Sequence, residues 1–201
     1  MGQYFDDDPT VASDRVELEW SLPDGPLRLV TDAGVFGHGR VDSGTKLLLL
    51  KVSPPPPTGD LLDLGCGTGA IELTMARRAP AATVWAIDVN SRARALCEEN
   101  AARNGLANVR VVEPGGVPRD VRFGAIWSNP PIRIGKAALH DLLLTWLARL
   151  APGAAAHLVV QKHLGADSLQ RWLTATGFPT DRIAVGAGFR ILRALGTGGA
   201  S

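Results

Sequence analysis

The sequence contains few cysteines and no long apolar run. Its two cysteines, Cys66 and Cys97, fit no metal-ligand spacing and make no disulfide framework. No segment approaches the roughly 18 consecutive apolar residues of a membrane-spanning helix. The acidic stretch at residues 6–8 is unlike the basic start of a signal peptide. We therefore expect a cytoplasmic protein with no metal centre and no membrane partner.

The net charge of +1 excludes no class of partner, but the charges are unevenly distributed along the chain. Residues 1–60 carry 5 Lys or Arg against 10 Asp or Glu, whereas residues 61–201 carry 16 against 10. The later part is compatible with a polyanionic partner such as RNA. A solvated surface of mixed charge would give the same balance, so charge alone does not identify the partner.

The first quarter of the chain predicts a small appendage that packs on the rest. Its expected elements are two strands at 16–20 and 27–30 that form a hairpin, a glycine-rich loop at 34–40 and a helix at 46–52. Asp42 or Ser43 is the expected cap of that helix. The expected divisions are the appendage at 1–53, a proline-rich linker at 54–59, a larger domain at 60–195 and a flexible tail at 196–201.

Strand and helix patterns alternate from residue 60 onward. Strands are expected at 60–64, 83–87, 109–112, 123–128 and 154–160, with helices at 70–78, 91–104, 136–150 and 168–176. This alternation requires a mostly parallel sheet with helices on both faces. Two final strands at 183–185 and 189–192 form a hairpin, so one strand must run antiparallel. The predicted fold is α/β and Rossmann-like, with seven strands.

A glycine-rich loop joins the first strand of this domain to its helix. Gly65 and Gly67 permit a tight turn and the close approach of a ligand to the backbone, and Asp63 lies at the strand end before them. Asp88 ends the next strand, where a carboxylate can accept both ribose hydroxyls of a nucleoside ligand. This pattern fits NAD, another nucleoside ligand or a tight crossover, and a buried Asp63 could simply support the loop.

A second motif follows the strand at 123–128. Pro130 and Pro131 lack a backbone N–H, so they end the strand ladder and hold the backbone extended. Asn129 is thereby presented at the carboxyl edge of the sheet, where open α/β sheets bind ligands. A strand end without any catalytic role would give the same local pattern.

Taken in order, these motifs resemble those of class I S-adenosylmethionine-dependent methyltransferases. Residues 63–69 resemble their motif I, and Ile87-Asp88-Val89-Asn90 resembles their ribose-binding acidic motif. Asn129-Pro130-Pro131-Ile132 resembles the Asn-Pro-Pro motif of enzymes that methylate planar nitrogens. The nearest family is the "methyltransferase small" group, which includes the RsmC-like guanine-N2 methyltransferases of small-subunit ribosomal RNA. The resemblance covers about residues 27–194.

The resemblance implies S-adenosylmethionine as the cofactor and S-adenosylhomocysteine as its product. Cofactor contacts are expected from Asp63, Gly65, Cys66, Gly67, Thr68, Gly69, Asp88, Val89, Asn90, Glu113, Pro114 and Asn129. The catalytic group is expected at Asn129, Pro130, Pro131 and Ile132, with the Asn129 side-chain oxygen and the Pro130 carbonyl each accepting one amine hydrogen. Contacts with substrate RNA are expected from Phe36, Arg133, Lys136, Lys162 and Arg190.

Three positions depart from the family pattern. Pro114 stands where an Asp or Asn usually contacts adenine, and Gly124 replaces a usual acidic residue. Ile132 stands where enzymes that stack a flipped adenine or a glutamine amide usually carry an aromatic residue. Ile132 therefore weakens an adenine-N6 activity and is tolerated in the RsmC-like resemblance.

The leading interpretation is methyl transfer to the exocyclic N2 of a guanine, with small-subunit (16S) ribosomal RNA as the expected substrate. The alternatives are a protein glutamine-N5 methyltransferase, an adenine-N6 methyltransferase and a non-catalytic cofactor- or RNA-binding module. A nicotinamide dehydrogenase is the least favoured, because no set of residues for its substrate acid is visible. The expected partner is ribosomal RNA or the small ribosomal subunit, with the chain as a monomer or homodimer.

Overall fold

The computed structural model describes residues 10–196, so residues 1–9 of the expected appendage and the expected tail beyond Gly196 lie outside this range. The strands are β1 (Val16–Leu22), β2 (Gly25–Thr31), β3 (Thr58–Leu64), β4 (Ala81–Ile87), β5 (Val109–Val112), β6 (Phe123–Ser128), β7 (Leu150–Gln161), β8 (Thr180–Gly186) and β9 (Phe189–Leu195). The helices are α1 (Ser43–Lys51), α2 (Ala70–Arg78), α3 (Ser91–Arg103), α4 (Lys136–Leu147) and α5 (Ala166–Ala175).

Seven of these strands form one sheet in the order β5-β4-β3-β6-β7-β9-β8, and β1 pairs with β2 in a separate hairpin. The pairs from β5 to β7 are parallel, whereas β9 runs antiparallel to both β7 and β8. The predicted Rossmann-like architecture is confirmed, and β9 is the expected antiparallel strand. From β3, the chain first builds the sheet outward on one side, through β4 to β5. It then crosses to the other side of β3, where β6 and β7 follow. Ligands bind at such a switch point in open α/β sheets.

The two faces of the sheet bury separate apolar cores. Leu61 and Trp127 contribute to one core with α1 and α2, while Leu62 and Ile126 contribute to the other with α4 and α5. Successive residues of a strand point to opposite faces, so a strand covered on both sides reads as a continuous apolar run. This explains why the apolar runs of β3 and β6 were recognisable in the sequence.

The N-terminal hairpin is fastened to the larger domain by side-chain amides and arginines. Asn100 on α3 accepts from the Val30 amide at 2.7 Å and donates to the Val30 carbonyl at 2.9 Å, as a neighbouring strand would. Arg78 on α2 donates two hydrogen bonds to the Asp24 carboxylate, which lower the pKa of Asp24. The hairpin is therefore packed on the helices that flank the glycine loop.

Several predicted boundaries were wrong around β7. The helix expected at 136–150 ends at Leu147, and β7 begins at Leu150 although Pro152 and Gly153 signal a break. The register explains this difference, because Phe123 pairs with Leu150 whereas Ala125 pairs with Ala155. The extra residues of β7 form a bulge, where a proline and a glycine are tolerated. Strand β3 also begins at Thr58, inside the expected linker.

Candidate active site

A cavity of about 510 Å³ opens at the carboxyl edge of the sheet, at the switch point beside β3. Its floor comprises the glycine loop after β3, the end of β4 and the corner after β6. The loop at 34–40 from the N-terminal appendage forms a further wall. Both sequence motifs thus face one cavity, although more than 50 residues separate them along the chain.

The glycine loop is held against the end of β4. The amides of Gly65 and Cys66 both donate to the Ile87 carbonyl, at 2.9 and 3.0 Å. Gly67 has a φ of +56°, and a Cβ at this position would lie 3.2 Å from the Phe36 carbonyl oxygen. A side chain at position 67 would therefore meet both backbone strain and the wall loop. The glycine is required because the loop at 34–40 rests directly on it.

Asp88 lies at the end of β4 and lines the cavity. Its Oδ2 accepts from the Gly67 amide at 3.0 Å and its Oδ1 accepts from the Asn90 amide at 3.0 Å. Burial raises the pKa of Asp88. Each carboxylate oxygen can accept a second hydrogen bond, so the group fits a ligand that presents two hydroxyls, such as a ribose.

Asp63 lies beneath the loop and not among the residues that line the cavity. It is fully buried, and its Oδ2 accepts from the Glu72 amide at 3.1 Å. Burial raises the pKa of Asp63 well above its usual range, and the neighbouring Glu72 carboxyl raises it further. Burial also raises the pKa of Glu72. This placement favours the alternative in which Asp63 supports the loop.

The corner after β6 presents all four of its motif residues to the cavity. The Asn129 amide nitrogen donates to the Asp42 carboxylate at 3.1 Å and to the Thr45 hydroxyl at 3.2 Å. Asp42 is the N-cap residue of α1, and Thr45 lies in its first turn. The Pro130 carbonyl accepts from the Ile132 amide at 2.8 Å. The side-chain oxygen of Asn129 has no donor among residues 10–196, so it remains available as an acceptor for a ligand.

Comparison with known proteins identifies the family that has these features. The methyltransferase small domain matches residues 26–193, which is most of the chain. This chain belongs to the methyltransferase small domain family. The match confirms the predicted methyltransferase class and, with it, the S-adenosylmethionine cofactor of class I methyltransferases.

The relatives of this methyltransferase include one of similar length and others that are about twice as long. The uncharacterized protein YbxB of Bacillus subtilis is 34% identical over 168 residues, covering 82% of this chain and 84% of YbxB. Ribosomal RNA small subunit methyltransferase C of Pseudomonas aeruginosa is 38% identical over 184 residues, covering 87% of this chain and 53% of that protein. The chain thus spans about half the length of the small-subunit methyltransferases it matches.

Solved structures share the methyltransferase fold at lower identity. The 16S rRNA N2-guanine methyltransferase RsmC of T. thermophilus, in complex with AdoMet and guanosine, has a TM-score of 0.78 at 24% identity and covers 93% of this chain and 52% of its own. A ribosomal protein L11 methylase from Lactobacillus delbrueckii has a TM-score of 0.64 at 22% identity, covering 83% of this chain and 84% of its own. Such likeness establishes the fold, whereas the substrate has to be inferred from the residues of the site. Within residues 10–196, the helices of this methyltransferase are too short or too polar to cross a membrane.

Some predicted site residues of the methyltransferase line the main cavity and others do not. Those that line it are Phe36, Gly65, Gly67, Asp88, Val89, Pro114, Asn129, Pro130, Pro131, Ile132 and Arg133. Cys66 and Thr68 line a small adjoining cavity of about 20 Å³ beside Asn129. Gly69, Glu113, Lys136 and Lys162 line neither cavity; Lys136 is the first residue of α4, and Lys162 directly follows β7.

Two predicted contacts have other partners in the structure. Asn90 is buried, accepts from the Ala93 amide at 3.0 Å as the cap of α3, and donates to the Gly34 carbonyl at 3.0 Å. It therefore holds the wall loop rather than facing the cavity. Arg190 is buried and forms an ion pair with Asp167 at the start of α5. Arg190 lies on β9, between β7 and β8, and it is not among the residues that line the cavity, so its contact with RNA stays a prediction.

Sequence reasoning missed several residues that line the cavity of this methyltransferase. They are Arg40, Asp42, Leu142, Gln161, Leu164 and Phe189. The sequence identified Asp42 as a candidate helix cap, but no residue near it in the sequence indicated that the same carboxylate contacts Asn129. Leu142 lies on α4 and is half-buried, because that part of the helix borders the cavity.

Proposed function

We propose that this protein is an S-adenosylmethionine-dependent methyltransferase that modifies the exocyclic N2 of a guanine in small-subunit ribosomal RNA. The observation that carries this proposal is the free side-chain oxygen of Asn129, held in one cavity with the glycine loop and Asp88. Supporting observations are the family membership and the names of relatives that span about twice the length of this chain.

The residues present fit the cofactor. Asp88 offers two oxygens, each with remaining hydrogen-bonding capacity, to the ribose hydroxyls. The glycine loop allows close contact along the backbone, and Val89 and Pro114 offer apolar surface for the adenine. When bound, S-adenosylmethionine supplies an electrophilic methyl group on a sulfonium. Asp63 acts from beneath, as a support for the loop.

Asn129 and the corner orient the amine that receives the methyl group. The lone pair of an exocyclic amine is delocalised into the guanine ring, so the nitrogen needs acceptors that favour a pyramidal, partly positive state. The Asn129 oxygen provides one such acceptor in a fixed orientation. The Pro130 carbonyl already accepts from Ile132, but its second lone pair can accept the other amine hydrogen.

The remaining cavity walls fit a planar base. Ile132, Leu142, Leu164 and Phe189 provide apolar surface opposite the glycine loop. Gln161 follows at the end of β7 and offers an amide, which can both donate to and accept from a base edge. Apolar faces with a few polar groups at the edge are typical of sites that hold an unstacked base.

The mouth of the cavity is basic. Arg40 and Arg133 both line it and are exposed, and neither forms an ion pair within the described part of the chain. Lys136, at the start of α4, and Lys162, directly after β7, are also exposed. Unpaired arginines beside an aromatic and apolar slot suit the phosphates that flank an extruded nucleotide. This supports RNA over a protein side chain as the methyl acceptor.

The test is methylation of small ribosomal subunits, and of their purified RNA, isolated from a strain that lacks this protein. The wild-type protein is expected to transfer a labelled methyl group to one guanine, identified as N2-methylguanine by mass spectrometry. Asn129→Ala is expected to reduce the rate by about 100-fold or more, with cofactor affinity retained. Asn104→Ala is the matched control, because it removes the half-buried amide of the residue that caps α3, which bonds to the Arg28 backbone outside the cavity.

Wild-type rates with Asn129→Ala would contradict the mechanism. Methylation of a release-factor glutamine but not of ribosomal RNA would contradict the substrate, and cofactor binding without transfer to any RNA would indicate a binding module.

A further inference from the structure

The start of α1 holds the side chain of Asn129, although 87 residues separate Asn129 from Asp42. One N–H of the Asn129 amide is directed to Asp42 Oδ2 at 3.1 Å and the other to Thr45 Oγ1 at 3.2 Å. A side-chain amide has only two N–H donors. Both are therefore used, and the oxygen is left as the group that faces the cavity.

The same carboxylate oxygen of Asp42 caps α1. It accepts from the Gly44 amide at 2.7 Å and from the Thr45 amide at 3.3 Å, while Asp42 has the extended backbone typical of a cap residue. Because these amides fix the carboxylate, it is a rigid partner for Asn129. Thr45 is 5% exposed, and this burial restricts the position of its hydroxyl.

A reversed Asn129 amide would be unfavourable at this position. Rotation by 180° would place the amide oxygen against the Asp42 carboxylate, two acceptors with no hydrogen between them. The orientation seen here avoids that repulsion and gives a hydrogen bond to both Asp42 and Thr45. A carboxylate that accepts from an amide N–H also polarises the amide, which increases the negative charge on its oxygen.

We propose that Asp42 and Thr45 are positioning residues for methyl transfer, which orient and polarise the Asn129 amide as an acceptor for the substrate amine. This inference rests on the proposed function, because it assigns the role of the Asn129 oxygen in that reaction. It also gives the N-terminal appendage a part in the chemistry, since Asp42 and Thr45 precede the domain that carries the two motifs.

The packing around Asp42 supports this assignment. A Cβ at Gly44 would lie 2.7 Å from two ring carbons of Phe189 and 2.9 Å from Asp42 Oδ2. The first turn of α1 is therefore in close contact with β9, and Phe189 itself lines the cavity. A glycine at this position allows the helix start to approach closely enough for Asp42 to reach Asn129.

The first experiment needs no methyl acceptor. The side-chain amide signals of Asn129 are identified in a ¹H–¹⁵N spectrum by their loss in Asn129→Ala. In the wild-type protein, their protons are expected to exchange slowly and to be shifted from the positions of a solvated asparagine. Asp42→Ser keeps a good helix cap but is too short to contact Asn129, and it is expected to return these signals toward solvated values. Unchanged signals would overturn the proposal.

The second experiment is a mutant cycle on transfer kinetics. Asp42→Ser and Thr45→Val are each expected to lower kcat by about 10-fold or more, with cofactor affinity changed by less than about 3-fold. In the Asn129→Ala background neither change is expected to lower kcat further, because residues that act as one unit are not additive. Thr45→Ser, which keeps the hydroxyl, is expected to restore most of the rate.

Thr74→Val provides the matched control, because Thr74 is also buried on a helix but donates to the Ala70 carbonyl of its own helix. It is expected to leave kcat unchanged. Additive effects of Asp42→Ser in the Asn129→Ala background would overturn the proposal. A wild-type protein that methylates no ribosomal RNA would instead count against the proposed function, and the amide spectrum would still decide whether Asp42 holds Asn129.

Discussion

The Gly67 backbone amide donates to the Asp88 carboxylate at 3.0 Å, which links the glycine loop after β3 to the acidic residue after β4. The two motifs are therefore one structural unit. Loss of this carboxylate would affect both the proposed ribose contact and the loop that lies beside it.

Asp88→Ala is expected to weaken S-adenosylmethionine binding by about 10- to 100-fold, since hydrogen bonds to a charged group contribute roughly 1.5–3 kcal/mol. Isothermal titration calorimetry measures this affinity. Asp181→Ala, which removes a surface carboxylate paired with Arg193, is the control and should bind normally. An affinity within about 2-fold of wild type for Asp88→Ala would contradict the assigned ribose contact.

The same carboxylate predicts a pH dependence of cofactor binding. Its pKa is raised by burial, so it becomes protonated at a higher pH than an exposed aspartate does. Protonation removes the charge that is proposed to accept the ribose hydroxyls. Affinity is therefore expected to fall on the acid side, beginning above the ordinary aspartate range near pH 4, and this acid limb should be absent in Asp88→Ala.

Gly44→Ala is expected to lower the free energy of unfolding by about 1–3 kcal/mol, because the added methyl group would overlap the Phe189 ring and the Asp42 carboxylate. Chemical denaturation measures this change. Gly124→Ala on β6 is the matched control, since a Cβ there meets Pro56 at an ordinary 3.4 Å. Equal stabilities of the two variants would show that the start of α1 tolerates a larger separation from β9.

The buried carboxyl pair beneath the glycine loop predicts how stability depends on pH. The pKa of Asp63 and the pKa of Glu72 are both raised in the folded protein. The folded state therefore holds more protons than the unfolded state, and the free energy of unfolding should decrease as the pH rises above about 4. The slope is about 1.4 kcal/mol per pH unit for each proton retained.

Glu72→Gln removes one of these titrating groups. It is expected to give a shallower decrease in stability with pH and a higher melting temperature at neutral pH than the wild-type protein. Glu98→Gln, on the exposed side of α3, supplies the matched control. If the two variants have the same pH profile, the pair does not retain a proton in the folded state.

Local patterns predicted the fold and both motifs because the relevant signals lie within a few residues of one another. The bounds of α2, β5 and β6 agree with their predicted ranges; α2 and β6 end at the polar residues Arg78 and Ser128, and Glu113 and Pro114 follow β5. The glycine loop and the Asn129 corner were placed correctly because parallel strands bring their carboxyl ends to one edge.

The remaining features depend on packing between distant segments. The contact of Asp42 with Asn129 joins residues far apart in the sequence, and a cap signal is equally compatible with a helix anywhere on the surface. Leu150 continued the apolar spacing of α4, but its pairing with Phe123 places it in β7. Arg190 was expected at the cavity from its charge, whereas the hairpin turns it toward Asp167.

The order of strands in the sheet has a consequence for how the protein folds. β3 pairs with β4, the next strand along the chain, but also with β6, whose Ala125 lies beside Leu61. Contacts between distant segments form slowly because a long loop must first be closed. During synthesis, a chain that ends at β5 already contains the glycine loop and Asp88. The Asn129 corner follows β6, so the segments proposed to hold the cofactor are synthesised before the oxygen proposed to orient the substrate amine.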